Sequence, residues 1–135
     1  MTKPGHRRLS LWILAVAASI AAAPVAPAAE MRRMTAAEIE RALIGNTLTG
    51  ASKAGCAFLD FYAYDGTASS QCGDRRDSGF WRIEPDNYLC VDWAKLNAPY
   101  CLEMYTDGSR YAVRNPRLGD ELFPVILIQG DRRRR

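Results

Sequence analysis

GFWRIEPDNYLCVDW, residues 79–93, and YCLEMYTDGSRYAVR, residues 100–114, are the stretches from which the architecture of this chain can be worked out. In both, apolar and polar side chains alternate, which is the pattern of a half-buried β-strand. Turn-forming residues interrupt the alternation at Pro85–Asn87, Asn97–Pro99 and Asp107–Gly108. The pattern predicts antiparallel strands over 79–84, 88–93, 100–106 and 109–114, joined by short connections.

The turns also predict the register of these strands. A two-residue turn at Asp107–Gly108, a loop at Ala94–Asn97 and a three-residue turn at Pro85–Asn87 give these opposed pairs: Ile83 with Leu89, Trp81 with Val91, Leu102 with Leu89, Tyr100 with Val91, Met104 with Tyr111, and Leu102 with Val113. One face then holds Trp81, Ile83, Leu89, Val91, Trp93, Tyr100, Leu102, Met104, Tyr111 and Val113. The other holds Arg82, Glu84, Asp92, Glu103 and Arg110. A slip of one residue would mix the two faces, so the separation supports the register.

The same register predicts the disulfides. It places Cys90 directly opposite Cys101 on the outer face, within disulfide reach. The remaining pair is then Cys56–Cys72, across the first hairpin. A strict two-residue turn at Asp65–Gly66 would place Cys72 opposite Leu59, so this second bridge requires a bulge or a longer loop.

The rest of the chain predicts a mainly β fold with one short helix. Thr35 and Glu38 form a capping box, an apolar stripe follows, and Gly45 is placed to end a helix over residues 35–44. Further strands are predicted at Ala57–Tyr64, Thr67–Cys72 and Glu121–Gln129, with a shorter one at Thr47–Thr49. No connection is long enough for a crossover helix, which excludes parallel βαβ units. We therefore expect an antiparallel meander of about seven or eight strands that closes into a small barrel or a strongly curved sheet.

Both ends of the chain differ in composition from its middle. Residues 1–29 have a basic start, an apolar run of about 15 residues and a small-residue end, which predicts a signal peptide rather than a membrane anchor. Residues 30–131 are predicted to form a single domain, and Arg132–Arg135 a disordered tail. After residue 29, fifteen basic and fifteen acidic residues remain. This balance leaves no basic face for nucleic acid.

Several short motifs resemble those of small secreted proteobacterial proteins of unknown function. They are TAAEI from Thr35, GNTLTG from Gly45, YDGT from Tyr64, SGFWRI from Ser78 and LCVDW from Leu89, followed by Cys101. The resemblance covers roughly residues 35–130 and implies a compact lipocalin-like meander with a leading helix and a cysteine pair across one hairpin. Cys56 and Cys72 depart from that pattern. The resemblance implies no activity.

The residue types present argue against an enzyme. The only histidine, His6, lies in the predicted signal peptide, so catalysis by a histidine base and histidine-ligated zinc are excluded from the mature chain. The cysteines lack metal-ligand spacing and suit an oxidising compartment, periplasmic or extracellular. Spacing singles out no pair among the carboxylates Asp60, Asp65, Asp74, Asp77, Glu84, Asp92 and Glu103. Asp65, like Asp107, suits a turn. We expect no metal and no cofactor.

The aromatic residues of the inner face leave two functions open. Trp81, Trp93, Tyr100 and Tyr111 are candidate ligand contacts or, as the simpler interpretation, core residues. The sequence favours a monomeric, non-enzymatic interaction module whose partner is a protein, a glycan or an envelope component. One form of such a module would inhibit a secreted hydrolase through an exposed loop at Gly73–Ser78. The alternative is a lipocalin-like carrier of a small hydrophobic ligand. The apolar strand Phe123–Gln129 needs a cover, for which the leading helix is the natural element.

Overall fold

The computed structural model of the protein describes residues 22–24, 30–119 and 121–133. Apart from residues 22–24, the predicted signal peptide lies outside the described residues. One helix, α1, spans Ala36–Leu43, and a short 3-10 helix spans Pro116–Leu118. The strands are β1 (Arg32–Arg33), β2 (Asn46–Ala51), β3 (Ala57–Tyr62), β4 (Thr67–Cys72), β5 (Arg75–Glu84), β6 (Tyr88–Trp93), β7 (Tyr100–Thr106), β8 (Tyr111–Arg114) and β9 (Phe123–Gln129).

Strands β2 to β9 form a closed, eight-stranded antiparallel barrel with meander topology. Each strand pairs with the next along the chain, and β2 pairs with β9 to close the barrel. The two-residue strand β1 adds to β7. The predicted fold class is therefore confirmed, and between the two forms left open the chain adopts the closed barrel.

The register predicted for β5, β6 and β7 is confirmed at every pair. Ile83 lies opposite Leu89 and Trp81 opposite Val91, and β6 pairs with β7 as predicted at Leu89–Leu102, Cys90–Cys101 and Val91–Tyr100. The Cys90–Cys101 disulfide joins paired residues whose Cα atoms are 4.0 Å apart.

The register predicted for β7 and β8 is wrong by two residues. Met104 pairs with Val113 instead of Tyr111, which pairs with Thr106. The turn centres on Gly108–Ser109 because the Asp107 carboxylate accepts hydrogen bonds from the backbone N–H groups of Ser109 and Arg110, at 2.9 and 2.8 Å. Gly108 has φ +96°, a conformation that favours glycine. A shift of two residues preserves the face of every side chain, so the predicted inner face survives the error.

The first hairpin contains the longer loop that its disulfide requires. Tyr62 pairs with Ala68, and Phe58 pairs with Cys72. The connection has three residues between Ala63 and Thr67, and it places Gly66 at φ +88°. Cys56 precedes Phe58 by two residues and bonds to Cys72 with a Cα–Cα distance of 5.8 Å. Both predicted disulfides are therefore present.

Several strand boundaries differ from the predicted ones. β5 begins at Arg75, four residues before the predicted Gly79, because Arg75 pairs with Cys72 across a tight turn. The exposed loop predicted at Gly73–Ser78 is consequently a β-hairpin. β3 ends at Tyr62, β8 begins at Tyr111 and β9 at Phe123, whereas β2 is longer than Thr47–Thr49.

The helix closes one end of the barrel. Thr35 caps it, and the capping box with Glu38 is formed as predicted. Ile39 and Leu43 are fully buried in the core. Because α1 leads through Gly45 into the first residues of β2, it covers the end at which β2 begins. The leading helix was predicted to cover one face of β9, but it leaves Ile126 of that strand 64% exposed.

The two arginines of the C-terminal run that the structure describes contact the barrel. The Arg132 backbone N–H donates to Thr47 Oγ1 at 3.1 Å. Arg133 forms an ion pair with Asp131, and its guanidinium lies 5.1 Å from the centre of the Phe61 ring. The disorder of Arg132–Arg135 stays a prediction. Arg134 and Arg135 lie outside the described residues.

Candidate functional site

The barrel contains a cavity of about 900 Å³ at the end opposite to α1. It is bordered by the connections that follow β2, β4, β6 and β8, all of which lie at that end of an up-and-down meander. Its volume falls within the range of small-molecule sites, roughly 300–1,000 Å³. The lining residues are Leu48, Ala51, Ser52, Lys53, Ala54, Phe58, Asp60, Arg75, Trp93, Leu96, Tyr100, Leu102, Val113, Leu118, Gly119, Glu121, Leu122 and Phe123.

The inner part of the cavity is apolar. Leu48, Leu102 and Val113 are buried side chains from three different strands, with Val113 fully buried. Phe58 and Phe123 meet edge to face, with ring centres 6.5 Å apart. Such aromatic and aliphatic walls provide the area that an apolar ligand needs to bury.

The structure divides the four predicted aromatic contacts into two pairs. Trp93, which is 9% exposed, and Tyr100 line the cavity. Trp81 and Tyr111 are partly buried against the core and do not contribute to the lining of this cavity as described. The Trp81 indole N–H donates to the Ala63 carbonyl at 2.8 Å, at the end that α1 covers. Trp81 and Tyr111 therefore pack against the core, whereas Trp93 and Tyr100 line the cavity.

Asp60 is the charged side chain that sequence reasoning did not single out. It lies on the inner face of β3 between Phe58 and Tyr62, opposite Leu48 on β2 and Ser70 on β4. Ser70 donates a hydrogen bond to Asp60 Oδ1 at 2.5 Å. Burial raises the pKa of Asp60 to about 6, although the Ser70 hydrogen bond acts to lower it. The alternation of Phe58, Asp60 and Tyr62 was the signal in the sequence, but it identifies an inner face only once the barrel is known.

Other titratable side chains lie near Asp60, some of them deeper in the barrel and some nearer the mouth of the cavity. Burial, followed by the nearby charge of Asp60, raises the pKa of Tyr62 well above its ordinary value. Lys53, Arg75 and Glu121 are exposed residues of the lining, near the mouth. The groups that share the cavity with Asp60 or oppose its partner Ser70 are Lys53, Arg75, Asp77, Tyr100 and Glu121.

The mouth of the cavity also carries exposed apolar side chains. Leu96, Leu118 and Leu122 are 50%, 64% and 42% exposed, and all three belong to the lining. They come from the connections after β6 and β8, so they border the opening from one side. Large apolar groups at an opening assist the entry of an apolar molecule or the docking of a partner.

A second polar cluster lies on the outer face, around Glu103. Its carboxylate accepts from Arg114 at 2.5 Å and from the Tyr105 hydroxyl at 2.9 Å, and Arg33 lies 3.7 Å away. Burial acts to raise the pKa of Glu103, but hydrogen bonds from Arg114 and Tyr105 outweigh it and the pKa is lowered. Glu103 lies on the predicted outer face, yet it is only 5% exposed because these side chains cover it. These contacts occupy acceptor positions of the Glu103 carboxylate. They connect β1, through Arg33, and β8, through Arg114, to β7.

The other predicted carboxylates have local roles or stay at the surface. Asp65 accepts from the backbone and hydroxyl of Thr67 at 3.0 and 2.6 Å, within the first hairpin turn. Asp92 forms an exposed ion pair with Arg82. Within residues 22–24, 30–119 and 121–133, no group of three histidine, cysteine or acidic side chains is placed to hold a metal ion.

Comparisons with family models, curated proteins and solved structures found no match to this chain. The barrel is consistent with a lipocalin-like fold, and no family is assigned from these comparisons. The described segments contain no helix with the length and apolar character that a membrane crossing requires. Two disulfides are typical of proteins from an oxidising compartment.

Proposed function

We propose that this protein is a lipocalin-like carrier that binds a small, mainly apolar molecule inside its barrel. The observation that carries the proposal is the cavity of about 900 Å³ at the open end of the barrel. A barrel interior filled by side chains would instead have supported the interaction module, which is the function that the sequence alone favours. A cavity with apolar walls and few polar groups is the usual form of a small-molecule site.

The cellular setting belongs to the same proposal. The predicted signal peptide and the two disulfides support export to the periplasm or the extracellular space. The absence of a histidine after residue 29 supports a non-enzymatic role without a cofactor, and the balanced charge argues against nucleic acid.

Two tryptophan variants test the location of binding. Trp93 lines the cavity, whereas Trp81 lies near the end covered by α1. An apolar probe such as decanol should change the fluorescence of the exported Trp81→Phe protein, in which Trp93 remains. It should leave the emission of Trp93→Phe nearly unchanged. Trp12 does not contribute to the emission of the exported protein, because it is removed with residues 1–29. Absence of binding by the wild type in calorimetry would refute the carrier function, and a response confined to Trp81 would refute the site.

The interaction module stays a second candidate because of the exposed side chains at the mouth. Leu96, Leu118 and Leu122 form an apolar border that a partner can cover. Affinity capture from the envelope fraction with wild type and with a Leu118→Ser/Leu122→Ser variant tests this function. A protein or glycan retained by the wild type and lost by the variant would favour the module, whereas equal recovery on both would refute a partner at the mouth.

A further inference from the structure

We propose that the cavity selects molecules that carry a protonated amine on an apolar body, and that Asp60 receives the amine. This inference rests on the proposed function and names its ligand class. Its basis is a carboxylate on the cavity wall among apolar residues, with Leu48 paired to it on one side and Ser70 on the other.

The hydrogen bonds of Asp60 leave room for a ligand. An ionised carboxylate offers about four acceptor positions on two oxygens. In the described part of the chain, the side-chain donor on this carboxylate is the Ser70 hydroxyl, at 2.5 Å from Oδ1. A buried acceptor without enough partners is costly, and an alkylammonium group supplies up to three donors together with the opposite charge.

The position of Asp60 explains why an amine is preferred to a neutral donor. The other charged lining residues, Lys53, Arg75 and Glu121, are exposed near the mouth, whereas Asp60 lies deeper on β3. A ligand that enters with its amine first would place its apolar body against Phe58 and Trp93. Hydrogen bonds assisted by charge are about twice as strong as neutral ones, and ionic strength screens them less in a buried site.

Lys53 and Arg75 are the cations of the lining that can compete for Asp60, and the Arg75 guanidinium is the one that can form two parallel hydrogen bonds with a carboxylate. Arg75 lines the same cavity from the start of β5. If its guanidinium turned inward and paired with Asp60, the acceptors would be filled without a ligand. The wild type would then show no preference for amines, and the preference would emerge only in Arg75→Gln. Under our proposal, the wild type already prefers the amine, and Arg75→Gln preserves or increases that preference.

The experiment is calorimetry of the exported, oxidised protein at pH 7.5 with three probes of one chain length: decylamine, decanol and decanoate. We expect decylamine to bind about tenfold to a hundredfold more tightly than decanol, the range for one charge-assisted contact, and decanoate to bind weakest. In Asp60→Asn, the advantage of decylamine should fall to within about threefold of decanol. Asp92→Asn is the matched control, because it removes the same charge from the exposed outer face and should change nothing.

The outcomes separate this inference from the proposed function. Equal binding of the three probes by the wild type would overturn the amine selectivity and leave the carrier function standing. Binding of none would overturn both. A preference for decylamine that persists in Asp60→Asn would place the amine elsewhere in the cavity. If Asp60→Asn does not fold, the order in which the wild type and Arg75→Gln bind the three probes still tests the selectivity for amines.

Discussion

Replacing Asp60 with asparagine should stabilise the empty protein at neutral pH and have little effect in acid. Asp60 is ionisable, mostly buried and held by one hydroxyl donor, Ser70. Asparagine is close to it in shape and carries no charge. The variant therefore removes the cost of ionising a buried carboxyl and retains a side chain that can hydrogen-bond to the Ser70 hydroxyl.

The sign and size of the effect follow from the pKa. Burial raises the pKa of Asp60 from 3.8 to about 6 in the folded protein. As the pH rises from 3.8 to about 6, the unfolded chain loses the proton before the folded one does, so wild-type stability is lost across this window. Since one pKa unit corresponds to about 1.4 kcal/mol, the penalty approaches about 3 kcal/mol at pH 7. The Asp60→Asn variant has no carboxyl at this position, so its stability should not carry this penalty.

Urea unfolding followed by tryptophan fluorescence at pH 4, 5.5 and 7 measures the effect, with disulfides intact. The quantity of interest is the free energy of unfolding of Asp60→Asn minus that of the wild type, which should grow by about 2–3 kcal/mol from pH 4 to pH 7. Glu38 and Asp107 have lowered pKa values and lose their stabilisation in acid, but they do so in both proteins and cancel. Ser70→Ala should raise the midpoint of the Asp60 titration, because the hydroxyl favours the ionised carboxyl.

A difference that stays constant across the three pH values would refute this reasoning. A wild type that is the more stable protein at pH 7 would refute it more strongly, because Asp60 would then be ionised and paired in the folded state. Lys53 and Arg75 are the cations of the cavity lining that such a result would implicate. Direct titration of the Asp60 carboxyl by NMR, in wild type, Lys53→Gln and Arg75→Gln, would identify the pair.

Three further substitutions test the fold. Cys90→Ser/Cys101→Ser opens a loop with sequence separation 11 and should cost about 3 kcal/mol on the chain-entropy model, seen as a lower Tm with unchanged β circular dichroism. Trp81→Ala should cost about 3–5 kcal/mol by urea unfolding, and a near-native Tm would contradict its place in the core. Gly79→Ala brings its Cβ to 2.3 Å from the Asp92 carbonyl oxygen and should cost about 1–3 kcal/mol; an unchanged Tm would contradict the close strand approach.

The confirmed part of the register depended on local rules. Leu89 lies opposite Leu102 because the connecting loop has a set length and because side chains alternate with a period of two. The same rules predicted the Cys90–Cys101 disulfide. They failed by two residues at Tyr111, where hydrogen bonds to the Asp107 carboxylate move the turn. Turn residues limit the choices in a hairpin, and side-chain hydrogen bonds select among them.

The site was less predictable than the fold. Of the four aromatic candidates, Trp93 and Tyr100 line the cavity while Trp81 and Tyr111 do not, although all four share one face of the sheet. Their height along the barrel axis separates them, and that height depends on how far each strand is offset from its neighbours around the whole barrel. Alternation along one strand holds no information on this offset.

What the sequence by itself determined is the set of barrel strands, the faces of the side chains on β5 to β8 and both disulfide pairs, since each depends on neighbours along the chain or across one hairpin. Closure through the β2–β9 pairing, which places Leu48 opposite Leu127, was decided by the tertiary structure alone. That pairing joins segments about eighty residues apart and creates an interior whose filling depends on side chains from all eight strands. The same closure turns Asp60 from one carboxylate among many into the charge on the wall of a cavity.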